Sequence, residues 1–355
     1  MTDINKIRQE IDEIDANLLD LLNARAKKAL EIKNTDQGKA PIRPEREIDI
    51  IRKLKDKNKG PLPSDAVKSI FTQIIATFRD QLQLERPISV SYLGPKGTYS
   101  EEAALKLFGS TVNLHPEDSI SSVVRAVEAG TSELAVIPIE NSTEGAVRET
   151  HRLLFNTNSR IVSEVTLPVV HCLLTRERNL SDIKSVYAHP QALGQCKTWL
   201  ATHLPNVKQI PTSSNSAAAE LAYKHISSAA IASKNAAEIY GLDKLEVGIN
   251  DLPGNKTRFI ALGSFPTKPT GNDKTSIICV LNDKPGALHE LLGILADASI
   301  SMTRLESQPH QDGQYAFFID FLGHKDDVGV KSVLQKLDNL TRTCKILGSY
   351  PVEVK

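Results

Sequence analysis

Apolar residues near the start of the chain fall at alternating spacings of three and four: Ile4, Ile7, Ile11, Ile14, Leu18 and Leu21, with neither Gly nor Pro from residue 3 to 33. That spacing places them on one stripe of a single amphipathic helix. About thirty residues of helix span roughly 45 Å, longer than a small domain is wide, so the stripe predicts a partner helix and dimerisation. The run DQGKAP breaks the helix, and Pro44 suits the first turn of a second one carrying Ile48, Ile51 and Leu54. After the breaker Gly60-Pro61-Leu62-Pro63, a third helix is expected from a Ser64 cap to about Leu84. Residues 1–86 thus predict an all-helical domain.

From Pro87 the period changes. Short apolar runs, ISVSYLG, ELAVIPI, IVSEVTLPVVHCLL, IKSVYAH, AAIAS and FIALG, are interleaved with helical patterns such as SEEAALKLF and SSNSAAAELAYKH. Alternating strands and helices predict an α/β layer fold with largely parallel sheet over residues 87–265. The stretch FPTKPTGNDK, residues 265 to 274, reads as a linker. Over residues 273–355 the order strand, helix, strand, strand, helix, strand predicts a ferredoxin-like βαββαβ unit. The expected class is therefore multidomain, α followed by α/β.

Composition narrows the function. A chain of 355 residues exceeds one ordinary core. Its 43 basic and 43 acidic residues offer no general attraction to nucleic acid or to an anionic membrane, so an anionic partner must meet a local cluster. Met1 is followed by the polar run TDINKIRQEIDEID, and no stretch of 18 uncharged apolar residues follows, so a soluble, cytoplasmic protein is expected. Cys172, Cys196, Cys279 and Cys344 are far apart, without CxxC or metal-ligand spacing, and read as free thiols; neither metal nor organic cofactor is expected.

Four polar loops fall at strand ends, where open α/β sheets bind ligands. Gly94-Pro95-Lys96-Gly97-Thr98-Tyr99-Ser100 opens a helix whose free N–H groups favour an anion, although a plain helix entry explains it equally well. Pro138 to Val147, IENSTEG at its centre, carries more polar residues around two carboxylates than a helix cap needs. Ala188-His189-Pro190-Gln191, with Gln195 a turn later, and Thr257-Arg258-Phe259 complete the set. A lone His189 is more often a structural hydrogen bonder than a base.

In combination YLGPKGTYS, PIENSTEGAV, YAHPQALGQC and NKTRF closely resemble the prephenate dehydratase catalytic domain, over about 175 residues. The resemblance implies two lobes like a periplasmic binding protein, a site in the cleft between them, and conversion of prephenate to phenylpyruvate with loss of CO2 and water. It casts Thr257 as the residue that protonates or hydrogen-bonds the leaving hydroxyl, Arg258 as a bidentate partner of a substrate carboxylate, and Asn141, Ser142 and Gln195 as holders of substrate polar groups. Many relatives have Ser where this chain has Ala188, so a hydroxyl contact is missing there. A non-catalytic amino-acid sensor is the alternative, against which Thr257-Arg258 argues.

The last domain resembles a phenylalanine-binding ACT domain through Lys284-Pro285-Gly286-Ala287-Leu288-His289 and Leu305-Glu306-Ser307-Gln308-Pro309. This implies L-phenylalanine held by Gly286, Ala287, Leu288, Glu306 and Ser307 between paired domains, in a homodimer or dimer of dimers. Gln308 stands where relatives usually have Arg. The front domain resembles the chorismate mutase fused to such dehydratases, anchored by Ile7 to Ile11, Ala24-Arg25 and Pro44 to Glu47. Arg8, Arg25, Arg46 and Glu47 would bind chorismate. Arg8 lies about 100° around the helix from Arg25 on a 3.6-residue period, so two subunits are needed to aim both inward. Aligned without gaps, the family's ether-oxygen lysine falls on Asp36 and its late polar pair on Phe78 and Leu82, which implies a weak mutase unless Lys33 or Lys39 substitutes for the lysine and, after a small register change, Gln81 or Gln83 for the other donor.

Overall fold

A computed structural model describes residues 4–35, 42–80, 87–282, 284–310 and 314–354. The long helix α1 (Ile4–Thr35) forms where the apolar spacing places it and is followed by α2 (Pro44–Lys57) and α3 (Ser64–Phe78). One cap differs from expectation. Ser64 is the first helical residue, and extended Pro63 holds the N-cap without a side-chain bond, leaving Asp65 to supply favourable negative charge in the first turn. Residues 81–84 of the expected third helix lie outside the described residues. The stripe of α1 is uncovered in a single chain: Ile4, Ile14 and Leu21 are 61, 63 and 68% exposed.

The first α/β lobe begins with β1 (Ser89–Leu93), α4 (Tyr99–Phe108), β2 (Asn113–Glu117), α5 (Ile120–Glu128), β3 (Leu134–Asn141), β4 (Gly145–Ala146), α6 (Arg148–Asn156) and β5 (Arg160–Pro168). The chain then crosses to a second lobe: β6 (Cys172–Thr175), β7 (Ser185–Ala188), α7 (Pro190–Gln195), α8 (Lys197–His203), β8 (Lys208–Pro211), α9 (Asn215–Lys224), β9 (Ser228–Ala232), α10 (Lys234–Tyr240) and β10 (Asp243–Val247). It returns through β11 (Lys256–Gly263). The sheet orders are β2-β1-β3-β11-β5 and β10-β6-β9-β7-β8. Neither sheet is largely parallel, as the strand-helix alternation had suggested. The pairs of β1 with β2 and β3, and of β7 with β8 and β9, are parallel, whereas β11 runs antiparallel to both neighbours and β6 to both of its own. The cause is connectivity: β11 enters its sheet from the other lobe, so no βαβ crossover fixes its direction.

The C-terminal unit is β12 (Asp273–Val280), α11 (Ala287–Asp297), β13 (Met302–Pro309), β14 (Tyr315–Leu322), α12 (Val328–Leu340) and β15 (Thr343–Pro351), with sheet order β13-β14-β12-β15. The βαββαβ order is thus the expected one. One sheet face packs Ile277, Ile319 and Phe321 on the helix residues Leu291, Leu295, Val333 and Leu337. The other face belongs to the core of the first lobe, where Ile278, Val280, Phe318, Leu347 and Tyr350 pack with Ile137, Leu154, Ile161 and Ile260. The stretch read as a linker is pinned to this unit: Thr267 is buried and bonds the Ser349 carbonyl, and His324 Nε2 meets the Thr267 carbonyl at 3.2 Å.

Gly348 shows how close that packing is. A Cβ there would collide with the backbone of Ile161 on β5, which has no flexible end to yield. Gly348→Ala should therefore part the two sheets and destabilise the protein by about 1–3 kcal/mol. Urea unfolding checks this; a midpoint equal to that of the parent would show that the sheets separate freely.

Candidate active site

The register between β3 and β11 sets the site. Thr257 pairs with Asn141, and Arg258 with Glu140. Successive strand residues point to opposite faces, so Thr257 and Asn141 share one side of the sheet while Arg258 and Glu140 share the other.

On the first side Asn141 is fixed by its partners. Its Oδ1 accepts from the backbone N–H groups of Thr143 and Glu144, at 2.9 and 3.2 Å. Because those groups only donate, the amide orientation is decided, and Nδ2 donates to Thr257 Oγ1 and to Asn255 Oδ1, each at 2.9 Å. Thr257 Oγ1 is therefore an acceptor towards Asn141, and its own hydrogen is left to donate elsewhere. Asn255 Oδ1 also meets Ser142 Oγ at 3.3 Å, and Ser142 Oγ accepts from the Lys256 N–H at 2.9 Å. Ser142 thus holds the loop to β11. Gln195 joins from the second lobe: its Oε1 lies 2.8 Å from His171 Nε2 and accepts from Asn255 Nδ2 at 3.5 Å, and its Nε2 reaches Glu144 Oε1 at 3.5 Å. Burial pushes the His171 ring below the usual histidine range and keeps it neutral, with the Gln195 bond opposing.

This cluster sits where the chain crosses between lobes, the Val169 N–H bonding the Asn255 carbonyl. Beside it the cleft holds about 910 Å³, lined by Lys96, Thr98, Ser100, His189, Gln191 and Ser214 among others. Thr98 caps α4 and Ser214 caps α9, so the first turns of two helices border the space. Gly97, at φ +84°, allows the loop to approach so closely that a Cβ would strike Ser216 of the opposite lobe.

Thr257, Asn141, Ser142 and Gln195 are not themselves among the residues lining that volume, and neither is Arg258, which lies on the other face of the sheet from Thr257. Its Nε donates to Glu164 at 2.8 Å, Nη1 to Asp320 at 2.5 Å and Nη2 to the Tyr350 hydroxyl at 2.9 Å. Strand alternation carries it to the face that meets the C-terminal sheet, and its donors are taken there. Asn255 and His171 were missed. Asn255 precedes Thr257 by two positions, the same-face spacing of a strand, whereas His171 lies within an apolar run that gives no signal.

In the helical segment the Arg25 guanidinium lies over the ring of Phe78, one of the two positions where the family's late polar pair falls, 4.6 Å from its centre. Glu47 pairs with Arg79 at 3.0 Å, and Arg79 also holds Asp80 at 2.6 Å. Arg79 was not foreseen. Burial raises the Glu47 carboxyl above its usual range, with Arg79 opposing. Arg8 and Arg46 are exposed. Asp36, Lys39, Gln81, Leu82 and Gln83 lie outside the described residues, as does the Lys33 side chain.

In the C-terminal unit Gly286, at φ 84°, is the N-cap of α11, which begins at Ala287 and Leu288. Glu306, Ser307 and Gln308 instead border a cavity of about 1170 Å³ against α6, whose lining does not include Gly286, Ala287 or Leu288.

Residues 90–267 match the prephenate dehydratase family, residues 7–83 chorismate mutase type II, and residues 275–339 the ACT domain. A bifunctional chorismate mutase/prephenate dehydratase of Stutzerimonas stutzeri is 42% identical over 99% of this chain and 98% of its own length. The chain belongs to the bifunctional chorismate mutase/prephenate dehydratase family. Among solved structures, the prephenate dehydratase of Arthrobacter aurescens in complex with L-Phe is similar with a TM-score of 0.69, at 34% identity, covering 75% of this chain and 90% of that one. GqqA, described as a quorum quenching acylase, matches with a TM-score of 0.68 at 30% identity, covering 75% of this chain and 98% of that one. Among the described residues no helix is long and apolar enough to cross a membrane.

Proposed function

We propose that the chain converts prephenate to phenylpyruvate in the interlobe cleft, with Thr257 as the group that meets the departing hydroxyl. The bond from Asn141 to Thr257 Oγ1 carries this reading. It occupies a lone pair of the threonine, directs the O–H elsewhere and strengthens it as a donor. Loss of CO2 delivers the C–C electron pair to the ring, hydroxide departs, and a proton relayed to it gives water. Aromatisation drives the change, so a hydrogen bond aimed where charge develops is the main contribution asked of the protein. With Arg258 turned away, Lys96 and the first turns of α4 and α9 remain to meet substrate carboxylates, while Asn141, Asn255 and Gln195 orient the ring substituents. An acylase reading would need a base at the Thr257 hydroxyl; its partner is an amide donor, which favours the acid role.

Thr257→Ala should lower prephenate turnover by about two to four orders of magnitude with much less change in KM. Phenylpyruvate absorbance follows it; retention of more than roughly a third of turnover would take Thr257 out of the mechanism.

We further propose that chorismate rearranges to prephenate in the helical domain, in a pocket completed by a second copy packed on the bare stripe of α1. The exposed Arg8 of one copy would join Arg25, Arg46 and Glu47 of the other around the two carboxylates. L-Phenylalanine would act through the ACT unit, Gly286, Ala287 and Leu288 of one copy meeting Glu306 and Ser307 of another, since one chain does not bring them around one cavity. Replacing Ile11 and Leu18 together by Asp should lower the mass seen in sedimentation and remove mutase turnover, leaving dehydratase turnover within about threefold, because a charge in an apolar seam costs several kcal/mol. A variant that keeps its mass, or a smaller species that still rearranges chorismate, would contradict the shared pocket.

A further inference from the structure

Behind the Thr257 and Asn141 pair lies a second one. Glu140 and Arg258 face the C-terminal sheet, and opposite them Arg304 on β13 is the cross-strand partner of Asp320 on β14. Each arginine meets the acid of the other unit: Arg258 Nη1 lies 2.5 Å from Asp320 Oδ2, and Arg304 Nε lies 3.2 Å from Glu140 Oε2. Four charges of alternating sign therefore join two pairs of strands. Three are largely buried, the side chains of Arg258, Asp320 and Arg304 being 12, 7 and 11% exposed, and Glu140 is 37% exposed. Burial opposes ionisation of Asp320, yet the Arg258 guanidinium holds its carboxyl below the usual range.

We infer that Glu140 and Arg258 are positioning residues for dehydration, tying Asn141 and Thr257 to the regulatory sheet through Arg304 and Asp320. This rests on the proposed role of Thr257. Adjacent Cα atoms are only about 3.8 Å apart, so a displacement of Glu140 or Arg258 is passed to its neighbour on the catalytic side. The 2.9 Å bond between Asn141 and Thr257 is sensitive to small shifts, and misplacing a reacting group by about 1 Å costs up to roughly a hundredfold in rate. A clamp serving adhesion alone has no need to lie one residue from each member of that bond. The same face of β13 carries Glu306 and Gln308 beside the cavity at α6. Any ligand or second copy that shifts this strand also shifts Arg304, giving the regulatory unit a short path to the acid hydroxyl.

The more exposed pair allows a test without unfolding the core. In the full chain, Glu140→Gln and Arg304→Gln should each lower kcat on prephenate about 5- to 50-fold with KM within about threefold, and each should blunt inhibition by L-phenylalanine. The double variant should be no slower than the slower single one, since both remove the same link. Thermal midpoints are measured alongside. Single variants with parental kcat and parental phenylalanine response, a double variant whose loss is the product of the two, or lowered midpoints with the phenylalanine response intact would each overturn the inference. Parent protein that does not turn over prephenate would instead overturn the proposed function.

Discussion

The alignment of β3 with β11 is the constraint on which the rest depends. One residue of slip would turn Thr257 towards the C-terminal sheet and Arg258 to the face that Thr257 now shares with Asn141, because side chains alternate along a strand. The register is secured from both sides. Thr257 and Arg258 also pair with Leu167 and Thr166 on β5, and the loop beyond β3 is tied back by the bonds of Ser142 to Asn255 and Lys256. The Asn141–Thr257 hydrogen bond on one face and an ion pair on the other are thus consequences of a single pairing.

The same sheet explains why the units resemble one body more than beads on a string. The first lobe and the C-terminal sheet share an apolar core, and at its edge Arg258, Lys274 and Glu164 form a buried ion-pair chain, Lys274 to Glu164 at 2.6 Å and Arg258 to Glu164 at 2.7 Å. Breaking one link would strand a buried charge, a larger loss than the intact pair contributes. The chain's end adds a strap: Glu353 accepts from the Thr166 N–H at 2.9 Å and lies 3.6 Å from Lys68 on α3, whose ammonium also bonds the Val354 carbonyl at 2.7 Å. The C-terminal tail therefore touches all three segments.

The legible parts of the sequence were those whose burial leaves a pattern. Central strands β1, β3, β9 and β11 are apolar runs because both faces are covered, and α1 announces its stripe because its apolar residues recur on one face of a long helix. Strands β2, β8 and β10 escaped because each lies at a sheet edge, where residues such as Asn113, Lys208 and Asp243 stay exposed. Motif resemblance assigns Thr257, Arg258 and Asn141 to one site, whereas the strands bond Thr257 to Asn141 on one face and Arg258 to Glu164 and Asp320 on the other. Only the strand geometry separates the two. His171 and Arg79 could not be read, since their partners Gln195 and Glu47 are distant in sequence and no local spacing joins them.

The most direct test is a crystal structure of the full chain with an unreactive prephenate analogue. Thr257 Oγ1 should lie within hydrogen-bond distance of the analogue's ring oxygen, about 2.6–3.0 Å, with Asn141 still donating to it and Arg258 still on Glu164 and Asp320. An analogue carboxylate gripped by an Arg258 swung into the cleft, or a ring oxygen remote from Thr257, would contradict the account.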